Sequence, residues 1–208
     1  MLPSAPDVTA APLAPRLRLV LASNSPRRRQ LLRELGLSYE VRLREVEENF
    51  PPHLVRAEVA EYLAAHKAAA YAPDLAPDEL VITADTIVCL DHDVLNKPAD
   101  AAEAVQMLQR LQGRAHDVYT GVCLLCGDGR RVVFSDQTRV HFRSLSRAEI
   151  EHYVATYSPL DKAGAYGAQD WIGMVAVTRL EGSYFNVMGL PVHRVWEELE
   201  KLGAVRLG

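Results

Sequence analysis

The chain has 208 residues, 49% of them apolar and 24% charged, with a formal net charge of −4. That size and apolar content allow a sizeable core, while the acidic balance excludes a general basic field for nucleic acid or an anionic membrane. With that balance, any polyanion has to be held by a local basic cluster, and no apolar stretch approaches a membrane span.

The first fifteen residues mix alanine with four prolines and carry no basic segment. They read as a disordered extension, residues 1–16, rather than a signal peptide. Residues 17–22 form a short apolar run, expected to be a buried strand. A helix over 26–35 follows, with Ser25 as N-cap, Pro26 at the first helical position and Gly36 just past the end. A weaker strand over 38–42 leads to the acidic Glu45-Val-Glu-Glu48, and an alanine-rich helix is expected over 54–71. Residues 80–90 make a strong strand, and Asp91-His-Asp93 turns the chain back. A helix over 101–111 ends at Gly113, and strands over 117–125 and 131–142 flank the hairpin turn Gly127-Asp-Gly129.

The helix over 146–155 has a marked start: Ser146 and Glu149 form a capping box, with Leu145 and Ile150 placed as a hydrophobic staple. The glycine-spaced segment 161–167 precedes an expected strand over 174–179. A last helix over 191–202 carries Val192, Val195, Trp196 and Leu199 on one face and stops at Gly203. With no internal repeat and no inner linker, 17–208 reads as a single α/β domain with a mixed sheet.

Three cysteines, Cys89, Cys123 and Cys126, do not make an extracellular disulfide framework. The Cys123-Leu-Leu-Cys126 spacing invites a metal or redox reading, but it lies in a predicted strand. Positions three apart on a strand point to opposite faces, so neither a shared zinc nor a mutual disulfide is expected. The thiol content suits a reducing, cytoplasmic compartment.

The first chemical signal is Ala22-Ser-Asn-Ser-Pro-Arg-Arg-Arg29, between the opening strand and its helix. A helix start offers unpaired N–H groups and partial positive charge. Arg27 and Arg28, with the Ser23 and Ser25 hydroxyls, suit a triphosphate, though a solvated basic turn has the same composition. The segment lacks the Walker pattern.

Asp85 is the sharpest single residue, because it interrupts an otherwise apolar strand. A carboxylate there needs a cation or a donor network. Magnesium answers that need with a triphosphate; a backbone amide at the strand end is the other solution. Glu47 and Glu48 offer a second carboxylate or a solvated face. Val59, Leu63 and Lys67 lie four apart, which puts the lysine on an apolar stripe, facing either phosphate or the helix C-terminus. Lys97 beside Pro98 is a further cation or an exposed turn lysine. The seven histidines form no zinc or triad pattern.

In order, these segments resemble the Maf family of nucleoside triphosphate pyrophosphatases. The resemblance is carried by LASNSPRRRQLLRELGLSYEV, EVEE, HKAAAYA, ADTIV, NKPAD, GRAHDVYTGV, DKAGAYGAQ and GSYFNVMGLP, spread over about 17–200. It implies a mixed α/β fold with two lobes around a cleft that binds nucleotide and a divalent cation, magnesium or manganese. It implies Asp85 as proton acceptor and, with Glu48, as metal site. It also implies Arg27, Thr86 and Gln169 as substrate-selecting positions of the subgroup acting on dTTP and UTP. Ser23, Arg28, Lys67 and Lys97 match other polar positions of that cleft. The acidic motif departs from the usual Asp-Val-Asp-Glu, although Glu48 itself is retained.

A glutamine amide offers a donor beside an acceptor, as the O4 and N3–H edge of uracil or thymine requires. The rival implications are 7-methylguanosine triphosphate as substrate, or an idle nucleotide-binding regulator of cell division. A homodimer is also implied; nucleic-acid and membrane partners are not.

Overall fold

In the computed structural model, which describes residues 16–205, the strand and helix signals assemble into one seven-stranded mixed sheet. The expected N-terminal extension lies outside the described residues, apart from Arg16. Strand β1 (Arg18–Leu21) is followed by α1 (Pro26–Glu34), β2 (Tyr39–Val41) and α2 (Ala57–Ala69), and then by β3 (Glu79–Leu90). β1 pairs in parallel with β2 on one side and β3 on the other. Short β4 (Asp93–Leu95) turns back on the end of β3. After α3 (Ala101–Leu111), the long β5 (Ala115–Cys126) and β6 (Arg131–Phe142) extend the sheet as antiparallel neighbours of β3. α4 (Arg147–Tyr157), α5 (Trp171–Ala176), β7 (Val177–Glu181), α6 (Tyr184–Met188) and α7 (Val192–Lys201) complete the described chain. No helix among the described residues is long and apolar enough to cross a membrane.

Period-two alternation along β3 and β5 divides the core. On one face Val81, Ile87, Cys123 and Tyr119 pack with Val59, Ala60, Leu63 and Ala64 of α2. On the other, Leu80, Ile82, Val122 and Leu124 pack with Leu31 and Leu32 of α1 and Val195 and Leu199 of α7. A further cluster beneath α3 and α4 gathers Val88, Leu90, Val118, Phe142 and Tyr153. Cys123 lies in the α2 core and Cys126 in the α1–α7 core, so their thiols occupy opposite faces as strand geometry requires.

Two consequences of this topology make the site. The connections from β1 run to β2 and from β2 across to β3, so the order β2-β1-β3 places a switch point beyond the carboxyl ends of β1 and β3. In addition, β1 leaves β3 at Ile82 and β4 joins it only at Val88. Residues 83–87 thus have no ladder partner on that edge among the described residues, while β5 pairs them along the other. Asp85 sits at the centre of the gap.

The sheet and helix assignments follow the sequence signals except near residue 174, at the ends of α2, and at the short β4 and α6, which the sequence reading does not assign. The expected strand over 174–179 is helical in α5 up to Ala176, and only then becomes β7. Ile172 and Ala176 are fully buried while Met174 is 74% exposed, a four-residue spacing of burial that belongs to a helix. The alanine-rich helix is also shorter than 54–71, beginning after Arg56, whose φ of 50° breaks the helical path.

α2 approaches β5 closely because Gly121 has no side chain. A Cβ there would lie 2.2 Å from the Ala60 carbonyl carbon and oxygen, which are backbone atoms that cannot swing aside. Gly121→Ala is therefore expected to destabilise the fold by roughly 1–3 kcal/mol, read as a lower urea midpoint. An unchanged midpoint would show that α2 can lift off the sheet at no cost.

Candidate active site

A cleft of about 1150 Å³ opens at the unpaired edge of β3. Its walls include all nine side chains marked from the sequence: Ser23, Arg27, Arg28, Glu48, Lys67, Asp85, Thr86, Lys97 and Gln169. Asp85 and Thr86 are neighbours on one strand and so point to opposite faces. The cleft consequently has an acidic, lysine-bearing half on the α2 face and an arginine-rich half on the α1 face.

In the acidic half, Lys67 in the last turn of α2 reaches Asp85 on the sheet. Its Nζ lies 2.5 Å from Asp85 Oδ1 and 2.7 Å from Glu48 Oε1. Lys97, just beyond β4, donates to the second Glu48 oxygen at 3.0 Å. One ammonium is thus shared by two carboxylates, and one carboxylate by two ammoniums. Asp85 is 8% exposed, so this pairing is what compensates its burial. Burial pushes the Glu48 carboxyl up, but hydrogen bonds and charge from Lys67 and Lys97 outweigh that and hold it at about 2.

In the other half, Ser25 caps α1 and accepts from Arg28 N at 3.4 Å. The Arg28 side chain turns inward and fills the gap in the sheet. Its Nη1 donates to Ala84 O at 2.8 Å, on the unpaired edge, and to Ser23 Oγ at 3.3 Å. Its Nε donates to Gly189 O at 2.8 Å and its Nη2 to Thr86 Oγ1 at 3.2 Å. Four of the five guanidinium N–H groups are thereby engaged within the protein. Burial lowers the Arg28 pKa, and the Asp85 charge opposes that shift. Arg27 is freer, with longer contacts of 3.3 Å to Met188 O and 3.5 Å to Asp161 Oδ2.

Thr86 extends a hydrogen-bonded row through Thr120, at 2.9 Å, to the backbone oxygen of buried Asn186, at 3.0 Å. α6 is tied to the cleft by that row and by the two carbonyls at its end. Gly189, at φ 108°, closes the helix in the left-handed region and leaves space beside Thr86 and Arg28.

At the far end, Gln169 follows two tight turns around Gly164, and its Nε2 donates to Asp170 Oδ1 at 3.0 Å. Sequence reasoning gave no part to Asp161, Asp170, Tyr153 or the α6 carbonyls. The signals were present in Ser183 as a possible N-cap and in the glycine after Met188, but five residues are too few for a periodic pattern.

The fold and cleft define a mixed α/β protein with its polar groups gathered at a topological switch point. The chain belongs to the family described as Maf-like protein, whose model matches residues 18–202. A relative from Phocaeicola vulgatus, named dTTP/UTP pyrophosphatase, is 52% identical over 186 residues, covering 89% of this chain and 96% of its own. A relative of the same name from Bacteroides thetaiotaomicron is 48% identical with the same coverage. Among solved structures, the Staphylococcus aureus Ham1 protein aligns over 88% of this chain and 99% of its own, with 16% identity and a TM-score of 0.49.

Glu48 titrates below its ordinary 4.5, so its pairing supports the fold above that pH and fades as pH falls toward 2. Lys67→Met should return the Glu48 carboxyl toward 4.5, measurable by carboxyl NMR titration; an unmoved value would mean that Lys97 alone sets it. The two arginines should separate. Arg27→Ala is expected to raise KM for a triphosphate by the loss of roughly 1.5–3 kcal/mol of charge-assisted bonding. Arg28→Ala should lower the melting temperature as well, because it strands the Ala84 and Gly189 carbonyls. Equal stability of the two variants would contradict a structural part for Arg28.

Proposed function

We propose that this chain is a nucleoside triphosphate pyrophosphatase that hydrolyses dTTP and UTP to the monophosphate and pyrophosphate. The observation that carries the reading is the buried Asp85 carboxylate sharing Lys67 with Glu48, opposite a half-cleft of arginines. A triphosphate is the kind of anion whose charge such a pair of walls can divide. The names of the relatives at 52% and 48% identity support the choice of base and of bond.

The donor set fits a divalent cation, because Glu48 and Asp85 already converge on one positive centre and are hard oxygen donors. Glu48 and Asp85 would hold magnesium or manganese together with phosphate oxygens. When bound, the metal supplies Lewis-acid stabilisation of charge on those oxygens.

The chain's own residues do the rest. Arg27 and the free N–H of Arg28 hold the phosphate tail from the α1 side, as oriented charge that needs no reorganisation. Lys67 and Lys97 stand across the cleft, where they can offset charge on the leaving pyrophosphate. Asp85 takes the proton of a water whose oxygen attacks the α-phosphorus in line. The new bond is water oxygen to α-phosphorus. The bond that breaks joins the α-phosphorus to the oxygen bridging to the β-phosphorus, and that oxygen leaves with pyrophosphate. Gln169 reads the base, and Thr86, fixed by Arg28 and Thr120, shapes the wall beside it.

Asp85→Asn should retain the fold and some nucleotide affinity while losing about 100-fold or more in kcat, since an amide can neither take the proton nor anchor the cation well. A variant with near wild-type kcat at saturating metal would remove Asp85 from the chemistry. In a side-by-side panel scored for pyrophosphate release, dTTP and UTP should give higher kcat/KM than purine triphosphates. A higher value for 7-methylguanosine triphosphate would overturn the proposed substrate.

A further inference from the structure

Gln169 lines the cleft, yet its Oε1 is buried with no protein partner. The amide's other end is fixed: Nε2 donates to Asp170 Oδ1 at 3.0 Å. The Asp170 carboxylate is held in turn by the Tyr153 hydroxyl, which donates to Oδ2 at 2.8 Å. Tyr153 is fully buried, and its oxygen also accepts from Gly167 N at 3.2 Å. Amide and carboxylate lie over that bare glycine. A Cβ at Gly167 would come within 2.5 Å of Gln169 Nε2 and 2.7 Å of Asp170 Oδ2.

A glutamine amide can turn over about its last bond at little cost, and the two orientations present opposite hydrogen-bonding patterns. A neighbouring carboxylate removes that freedom. It can only accept, so the amide nitrogen must face it. The reversed amide would set Oε1 against Oδ1, two acceptors with no proton between them. Lys162 Nζ, 3.9 Å from Asp170 Oδ2, adds positive charge that helps hold the carboxylate in place.

We propose that Asp170 is a positioning residue that locks the Gln169 amide in the orientation complementary to uracil and thymine and opposed to cytosine. This rests on Gln169 reading a pyrimidine edge, as proposed above. With one N–H spent on Asp170, the amide has left for a base an unpartnered acceptor, Oε1, and one remaining N–H. Uracil and thymine present N3–H beside the O4 acceptor, which pairs with both. Cytosine presents an unprotonated N3 beside an N4 amino group, the reverse pattern. Bound at the same place, cytosine would put N3 against Oε1 and its amino group against the amide N–H. Neither group could then be paired, and a site that hydrogen-bonds a substrate group discriminates strongly against such mismatches. The exclusion of cytosine is thus set by a residue that does not touch the base.

The test compares kcat/KM for UTP, dTTP and CTP in the wild type, Asp170→Asn and Gln169→Ala. Asp170→Asn preserves shape and can still accept from Tyr153, but its amide can face Gln169 with either an oxygen or a nitrogen. The UTP-to-CTP preference should narrow by about tenfold or more in Asp170→Asn, read in KM more than in kcat. A wild-type arm needs no variant to fold: 3-methyluridine triphosphate, which lacks the N3 proton, should be as poor a substrate as CTP. An unchanged UTP-to-CTP ratio in folded Asp170→Asn would overturn the inference, as would turnover of the 3-methyl nucleotide equal to that of UTP. If the wild type cleaves neither UTP nor dTTP, or Gln169→Ala leaves base preference intact, the pyrimidine reading falls and takes this inference with it. Efficient UTP turnover with an unmoved ratio in Asp170→Asn removes this inference alone.

Discussion

Asp85 places a carboxylate in the middle of a buried strand, and much of the local structure can be understood as compensation for that charge. Lys67 comes from the end of α2 to meet it, which requires α2 to lie close to the sheet. Close approach in turn requires small residues at the contact, Gly121 on β5 and Ala60 and Ala64 on α2. Glu48 then balances the lysine, and Lys97 balances Glu48. The result is an alternating row of charges in which removing Lys67 strands Asp85 and removing Glu48 strands Lys97. That row also leaves oxygen donors and ammonium groups facing one cleft, which suits an anionic substrate and its counter-cation.

The second dependence is on the gap in the sheet. A fully paired β3 would have buried Asp85 between neighbouring strands; the departure of β1 at Ile82 and the late arrival of β4 at Val88 open that edge instead. Arg28 satisfies the carbonyl this exposes at Ala84 and ties it to the end of α6 through Gly189. Arg28, which the sequence marks for phosphate together with Arg27, also holds three segments together. Arg27, one residue earlier, keeps more of its charge available to a ligand.

Much of this could be read from the residues themselves. The capping box of Ser146 and Glu149 forms as expected, and Ser25 caps the first helix over an N-terminal proline. The divergence of Cys123 and Cys126 follows from strand alternation alone. Asp85 stood out because a charge in an apolar run demands a partner, and Lys67 because it lay on an apolar stripe. That the two are partners was not legible, since spacing along a helix says nothing about what lies across from it. The inward commitment of Arg28 was hidden for the same reason: its acceptor at Gly189 is 161 positions away. Around residue 174, the continuous apolar run Met174-Val-Ala-Val177 suits a buried strand as well as a helix. Only the burial of Ile172 and Ala176 beneath α5 decides for a helix. Asp170 escaped notice because its effect passes through another side chain.

The most direct measurement is a crystal structure with manganese and a dUTP analogue whose α–β bridge resists hydrolysis. Anomalous scattering is expected to place the metal within coordination distance of both Glu48 and Asp85, with Lys67 moved from between them toward the phosphates. The α-phosphorus should lie within reach of a water held by Asp85, and the uracil edge against Gln169. A triphosphate seated with its α-phosphate remote from Asp85, or a metal bound without either carboxylate, would contradict the central claim.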